Sequence, residues 1–217
     1  MNKWIMAGTA AAFTGAAAFA RSEYERTHLD VVHYDIKTDK LGLEWNGFKA
    51  VFLSDLHDNS FGMENEELIA AIEKEQPDIV LIGGDMLVVK EWAAPHFDML
   101  TSLYEKLVER YPVYYAFGNH EQRMKEEPLT YSGWWQSYWK VLKDSGMHVL
   151  VNKSEEIIKN GGTMRISGIT LPRECYRKGR IPSLSVGYLD KKIGKASDKN
   201  FELLLAHIHS ILVSTVD

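Results

Sequence analysis

The 217-residue sequence predicts an α/β domain behind a short leader. Two observations carry the fold class. Short apolar runs rich in Val, Ile, Leu, Phe and Tyr alternate with longer stretches whose apolar residues recur at helical spacing. Strand and helix signals that alternate in this way belong to α/β architecture, not to a helical bundle or an all-β sandwich. A third observation locates the chemistry: several strand runs end in acidic, amide or imidazole residues, two of them just after a glycine.

The elements follow in order. Residues 48–53 are an apolar strand run that leads into a polar loop. Residues 64–75 carry Leu68, Ile69 and Ile72 at helical spacing, and Pro77 stops that helix. Residues 78–82 read as a buried strand, ended by Gly83-Gly84. In residues 97–108, Leu100, Leu103, Tyr104, Leu107 and Val108 share one helical face. Residues 112–117 are a third strand, ended by Gly118, then 132–143 a helix and 147–151 a strand. Residues 155–159 and 164–169 flank Asn160-Gly161-Gly162, a hairpin signal. Residues 201–206 form one more buried strand. Repeats, low-complexity tracts and internal linkers are missing from the sequence, so residues 27–217 are expected to form one domain.

Residues 4–20 carry no charge, follow Lys3 and precede the charged stretch 21–26. A positive start, an apolar run and the small-residue end Ala18-Phe19-Ala20 make a signal-peptide pattern. The run is also at the lower length limit of a membrane span. Residues 1–26 are therefore expected to be a signal peptide or an N-terminal membrane anchor with a charged flank, the alternative being a buried Ala-rich helix. Either form of leader places the remainder on the membrane or outside the cytoplasm. Composition excludes other classes. The single cysteine, Cys175, rules out a disulfide framework and a Cys-rich zinc site. A net charge of −5 argues against a nucleic-acid-binding surface.

The strand ends carry the chemistry. The first runs into Ser54-Asp55-Leu56-His57, the second into Gly83-Gly84-Asp85, the third into Gly118-Asn119-His120-Glu121 and the last into Ala206-His207. In open α/β sheets, ligands bind beyond the carboxyl ends of the strands. Glycines before Asp85 and Asn119 let the backbone turn sharply and approach an ion. Carboxylate, imidazole and amide donors without cysteine suit divalent Mn, Fe or Zn.

Together, in this order and at these intervals, the four motifs resemble those of the calcineurin-like metallophosphoesterases. The resemblance covers residues 45–207, and the stretch from Asp55 to Gly62 is most similar to the membrane-associated bacterial branch. It implies a four-layer α-β-β-α sandwich and two divalent metal ions. Asp55 and His57 would bind the first ion, Asp85 would bridge both, and Asn119 and His207 would bind the second. His120 would stabilise or protonate the leaving oxygen. The implied activity is hydrolysis of phosphomonoester, phosphodiester or pyrophosphate bonds by a bridging hydroxide, with a phosphorylated small molecule or lipid as substrate. Two ions also account for how an acidic chain could attract an anionic substrate.

The sequence departs from the family in one respect. The family's final Gly-His-x-His, which supplies one more histidine to each ion, is not found after Ala206-His207. This predicts a sandwich without its last strands and a C-terminally incomplete domain. The alternative to an enzyme is thus a catalytically impaired fragment or a non-catalytic metal-binding protein. His209 is not taken as a substitute ligand.

Other residues have plainer readings. Asp55, Gly84-Asp85 and Asn119 taken singly are ordinary turn residues, and His207 alone could be a structural histidine. His28, His33, His96 and His148 are expected at the surface or at helix ends. Trp134, Trp135, Tyr138 and Trp139 are expected to pack in the core, with a lipid- or substrate-contacting lip as the alternative. Arg123 and Arg173 follow strand ends and could hold a phosphate, though solvated arginines are the default.

Overall fold

The apolar runs assemble into two β-sheets in the computed structural model, which describes residues 14–24, 27–93, 95–131, 133–177 and 184–208. The first sheet contains β1 (Ala50–Leu53), β2 (Ile79–Ile82), β3 (Val113–Tyr115) and β4 (His148–Val149), all parallel and side by side in that order. The second contains β5 (Lys153–Lys159), β6 (Gly162–Ile169) and β7 (Glu202–Ala206). β5 and β6 form the expected antiparallel hairpin, and β7 runs parallel to β6.

Strand periodicity sorts the core into two layers. Val80, Ile82, Val113 and Tyr115 face a cluster completed by Leu68, Ile72, Leu100, Leu103 and Leu107. Those partners come from helices α1 (Glu66–Glu75) and α2 (Phe97–Val108). Alternate residues Ile79, Leu81 and Tyr114 face the other way and meet Ile157, Met164, Ile166 and Leu205 of the second sheet. β2 is therefore buried on both faces, as a continuous apolar run requires. The outer side of the second sheet carries a short helix, α5 (Tyr188–Ile193), whose Ile193 carbonyl accepts from Ser154 Oγ at 3.1 Å. The α/β class and the paired-sheet arrangement thus match the expectation.

Some elements differ from it. Residues 63–65 are a 3₁₀ turn, and α1 starts only after Asn65 in a left-handed conformation. Asn119–Glu126, to which the sequence reading assigns no element, is a helix, α3. Helix α4 spans Trp134–Asp144 and begins after Gly133, at φ 83°. Its Tyr138 is fully buried, and Trp134, Trp135 and Trp139 pack against the first core, as the core reading required. His33 and His148 pair with Glu75 and Glu155, and His96 is the residue before α2, all in keeping with surface or helix-end positions. Residues 14–24 are helical and largely exposed, while residues 1–13, most of the charge-free run, lie outside the described residues, as does His209. Among the described residues, no helix is long and apolar enough to cross a membrane.

Candidate metal centre

The loops after β1 and β2 run alongside each other like a continuation of the sheet. Asp55, His57 and Asp58 donate their N–H groups to the carbonyls of Gly84, Asp85 and Met86 at 3.0–3.1 Å. This pairing requires left-handed backbone at Asp55, His57, Asp58 and Asp85, with φ between 52° and 58°. Asp and His tolerate that conformation better than most residues, though it still costs free energy. Asp58 adds a lock, its Oδ2 accepting the Val88 N–H at 2.9 Å. The strain is thus held by a ladder of bonds, and it aims Asp55, His57 and Asp85 off the sheet edge.

Asp85 lies at the centre, 1% exposed. Its Oδ1 accepts the backbone N–H of His120 at 2.8 Å. Its Oδ2 faces three imidazoles: His207 Nε2 at 3.3 Å, His57 Nε2 at 3.7 Å and His120 Nε2 at 4.0 Å. Asp55 Oδ1 is 3.2 Å from His57 Nε2 and 3.8 Å from His207 Nε2. The end of the Asn119 side chain lies 3.1 Å from Asp85 Oδ2. All six residues singled out from the sequence are therefore brought together, three segments coming from the first sheet and His207 from β7 of the second. Asp55, Asp85 and His207 offer ligand atoms that all lie within 4.8 Å of one another. These three draw on both sets that the resemblance assigns to separate ions.

The donor set fits a divalent cation. His207 Nδ1 lies 3.1 Å from the Gly83 carbonyl. Donation there keeps the proton on Nδ1 and turns the Nε2 lone pair toward Asp85 and Asp55, as metal-binding histidines are commonly oriented. In the metal-free chain the Asn119 amide donates its N–H to Asp85 Oδ2 at 3.1 Å, and turned over it would offer its oxygen beside the carboxylates and imidazoles to a cation.

Charge coupling says the same. Burial opposes the imidazolium of His207, but the hydrogen bond to Asp85 and the charges of Asp85 and Asp55 push it up to about 9. Burial likewise opposes the Asp85 carboxylate, yet His207 and the His120 N–H bring it below its ordinary value. In the metal-free chain a proton on His207 does what a cation would do. Its folded value of about 9 exceeds the ordinary 6.5, so this stabilisation is full below about pH 6.5 and is lost as pH rises through 9. A metal must displace that proton. Mn²⁺ affinity should therefore climb between pH 6.5 and 9, by up to about tenfold per pH unit. Calorimetric titrations of the chelator-stripped chain at several pH values check this, and a flat profile contradicts it.

His120 is held differently. The Val89 N–H donates to its Nδ1 at 3.0 Å, which leaves the proton of the neutral ring on Nε2, the nitrogen that faces Asp85. Burial, then the positive charges of Arg123, His57 and His207, outweigh Asp85 and hold it below its ordinary value. Arg173 is paired with Glu127, in keeping with its default reading.

Sequence reasoning missed Glu121. The residue stands within the Gly118-Asn119-His120-Glu121 motif, with no role assigned by the resemblance. Glu121 is fully buried, and its carboxylate accepts the N–H groups of Asp85, Met86 and Gly118 at 3.0–3.1 Å. It thereby ties the loop carrying Asp85 to the start of α3. Burial and the Asp85 charge push it up to about 7 against these donors. The available signal was its place three residues after Gly118, where a Glu side chain reaches back to the residue before a helix.

An α/β domain with acidic and imidazole ligands converging at its strand ends is a metal-binding catalytic scaffold in form. Residues 48–212 match the model of the calcineurin-like phosphoesterases, and the chain belongs to that family. It is similar to the uncharacterised metallophosphoesterase YkoQ of Bacillus subtilis (strain 168), at 32% identity over 165 residues, covering 76% of this chain and 54% of YkoQ. It is also similar to the phosphodiesterase YaeI of Escherichia coli (strain K12), at 29% identity over 113 residues, covering 51% of this chain and 38% of YaeI. The chain thus spans about half the length of the first relative and less of the second.

Proposed function

We propose that the chain is a metal-dependent phosphoesterase, with Asp55, His57, Asp85, Asn119 and His207 holding two divalent ions. The carrying observation is the convergence of three separate segments on the buried carboxylate of a fourth, Asp85. Bound metal supplies Lewis-acid polarisation of the phosphoryl oxygen and an activated water. The protein's own part is positioning. Asp55 and Asp85 bring negative charge to a shared point, and the ladder between their loops keeps them there. His120 directs its Nε2 proton toward the site, where it can stabilise an oxygen that gains charge as it leaves. We favour the diester among the possible bonds, because the relative YaeI is named a phosphodiesterase. A small phosphorylated molecule or a lipid fits the absence of any nucleic-acid signal. Residues 1–26, as leader or anchor, would put residues 27–217 on the membrane or outside the cytoplasm.

The test is direct. The chain is stripped with chelator, reloaded with Mn²⁺ and given bis(4-nitrophenyl) phosphate and 4-nitrophenyl phosphate. The expected result is nitrophenolate release that disappears on chelation and returns with Mn²⁺, faster on the diester. Bound Mn²⁺ without turnover would reduce the chain to a metal-binding protein, and failure to bind Mn²⁺ would refute the reading altogether.

A further inference from the structure

Beneath the metal centre runs a chain of buried phenols. Tyr115 on β3 donates its hydroxyl to Glu121 Oε1 at 2.7 Å. The hydroxyl of Tyr138 on α4 is 2.7 Å from that of Tyr115, and the hydroxyl of Tyr104 on α2 is 2.9 Å from that of Tyr138. All four side chains are fully buried. Phenylalanine would fill the same apolar space, as Phe117 does two residues beyond the end of β3. The hydroxyls therefore need a reason, since a buried hydroxyl is retained without loss only when bonded.

The direction of the bonds supplies it. A carboxylate is an acceptor only. Four donors converge on Glu121: the N–H groups of Asp85, Met86 and Gly118, and the hydroxyl of Tyr115. Because Tyr115 gives its proton to Glu121, its oxygen must accept from Tyr138, and Tyr138 in turn must accept from Tyr104. Every bond points toward the carboxylate, and such one-way chains polarise and strengthen one another. The last bonds of the series are those that hold the backbone of Asp85 and Gly118.

We propose that Tyr115 and Tyr138, acting through Glu121, are positioning residues that hold the backbone of the Asp85 loop and of Gly118 in the geometry that binds metal. The proposal rests on the metal-centre reading of Asp85. It makes α2 and α4 part of the site's support although neither reaches it. Removing the Tyr115 hydroxyl leaves Glu121 short of a donor and loosens its hold on three amides; removing that of Tyr138 weakens the Tyr115–Glu121 bond and acts in the same direction.

Two measurements on the full chain test this with Tyr115→Phe and Tyr138→Phe, which preserve the packing. The first is Mn²⁺ dissociation by calorimetry. The second, on metal-free protein, is hydrogen exchange at the amides of Asp85, Met86 and Gly118, with Leu103 and Ile166 as internal controls. Groups that orient metal ligands are worth about tenfold to hundredfold in affinity. We expect about tenfold weaker Mn²⁺ binding for Tyr115→Phe and a smaller loss for Tyr138→Phe. Exchange should be faster at the three amides and unchanged at the controls. If Tyr115→Phe does not fold, Tyr138→Phe decides. Unchanged exchange at the three amides overturns the proposal. So does faster exchange with Mn²⁺ affinity within twofold of the parent, because the phenols would then be structural only. A parent chain that binds no Mn²⁺ refutes the metal-centre reading, and the exchange result then shows separately whether the phenols hold these loops.

Discussion

Replacing Asp85 by asparagine should abolish metal binding and turnover while leaving the chain folded. Asn has the same shape and keeps an oxygen to accept the His120 N–H, now made at 2.8 Å. What it removes is the charge facing His57, His120 and His207. Losing a group that only orients a ligand costs about tenfold to hundredfold in metal affinity. Every other candidate ligand except Asp55 lies within 4.0 Å of Asp85, so its loss should exceed that range. His207 should drop from about 9 toward its ordinary value, because Asp85 is its chief raising partner, and the stability that its proton adds should fall with it, so the urea midpoint of the metal-free variant should be lower than the parent's at pH values below 9. Calorimetry with Mn²⁺ and a diester assay on the same preparation read both effects. Mn²⁺ affinity within tenfold of the parent would show that the ion is held elsewhere.

The site was legible because each of its residues sits next to a strand end, and strand ends can be read from apolar runs. Ile79–Ile82 followed by Gly83-Gly84-Asp85 needs no structure to be placed at a sheet edge. What the runs do not reveal is partnership between distant strands. β7 pairs with β6 across a long connection, so its membership of the second sheet, and hence the approach of His207 from the opposite side, lies in tertiary contacts. The left-handed turn at Asp55, His57 and Asp58 was hidden because no glycine marks it. It depends on carbonyls offered by a loop about thirty residues away in sequence. Helix α3 has no counterpart in the sequence reading, because Asn119, His120 and Glu121 lack an apolar stripe. Its first turn is held instead by Glu121, whose carboxylate reaches back to Gly118. Three of the four donors to Glu121 are backbone N–H groups, which leave no trace in composition.

The largest structural penalty is expected at Gly84, where the reason for a glycine is contact as much as conformation. Its φ is +93°, a region in which any side chain is strained. A Cβ there would also overlap the Gly118 nitrogen and lie 2.5 Å from Gly118 Cα and 2.6 Å from the Phe117 carbonyl carbon. The neighbours are backbone, so nothing can rotate aside, and the β2 and β3 loops would have to separate. Strain and overlap together put Gly84→Ala at about 2–5 kcal/mol, a large share of the roughly 5–15 kcal/mol that holds a domain folded. Gly161 separates the two causes. It has a similar φ of +87° but nothing within 4 Å of its Cβ position, so Gly161→Ala should carry strain alone, about 1–2 kcal/mol. Urea unfolding of both variants measures the difference. Equal losses would mean that the two loops can part freely, and the close backing of Gly84 against Gly118 would then not be what fixes Asp85 beside α3.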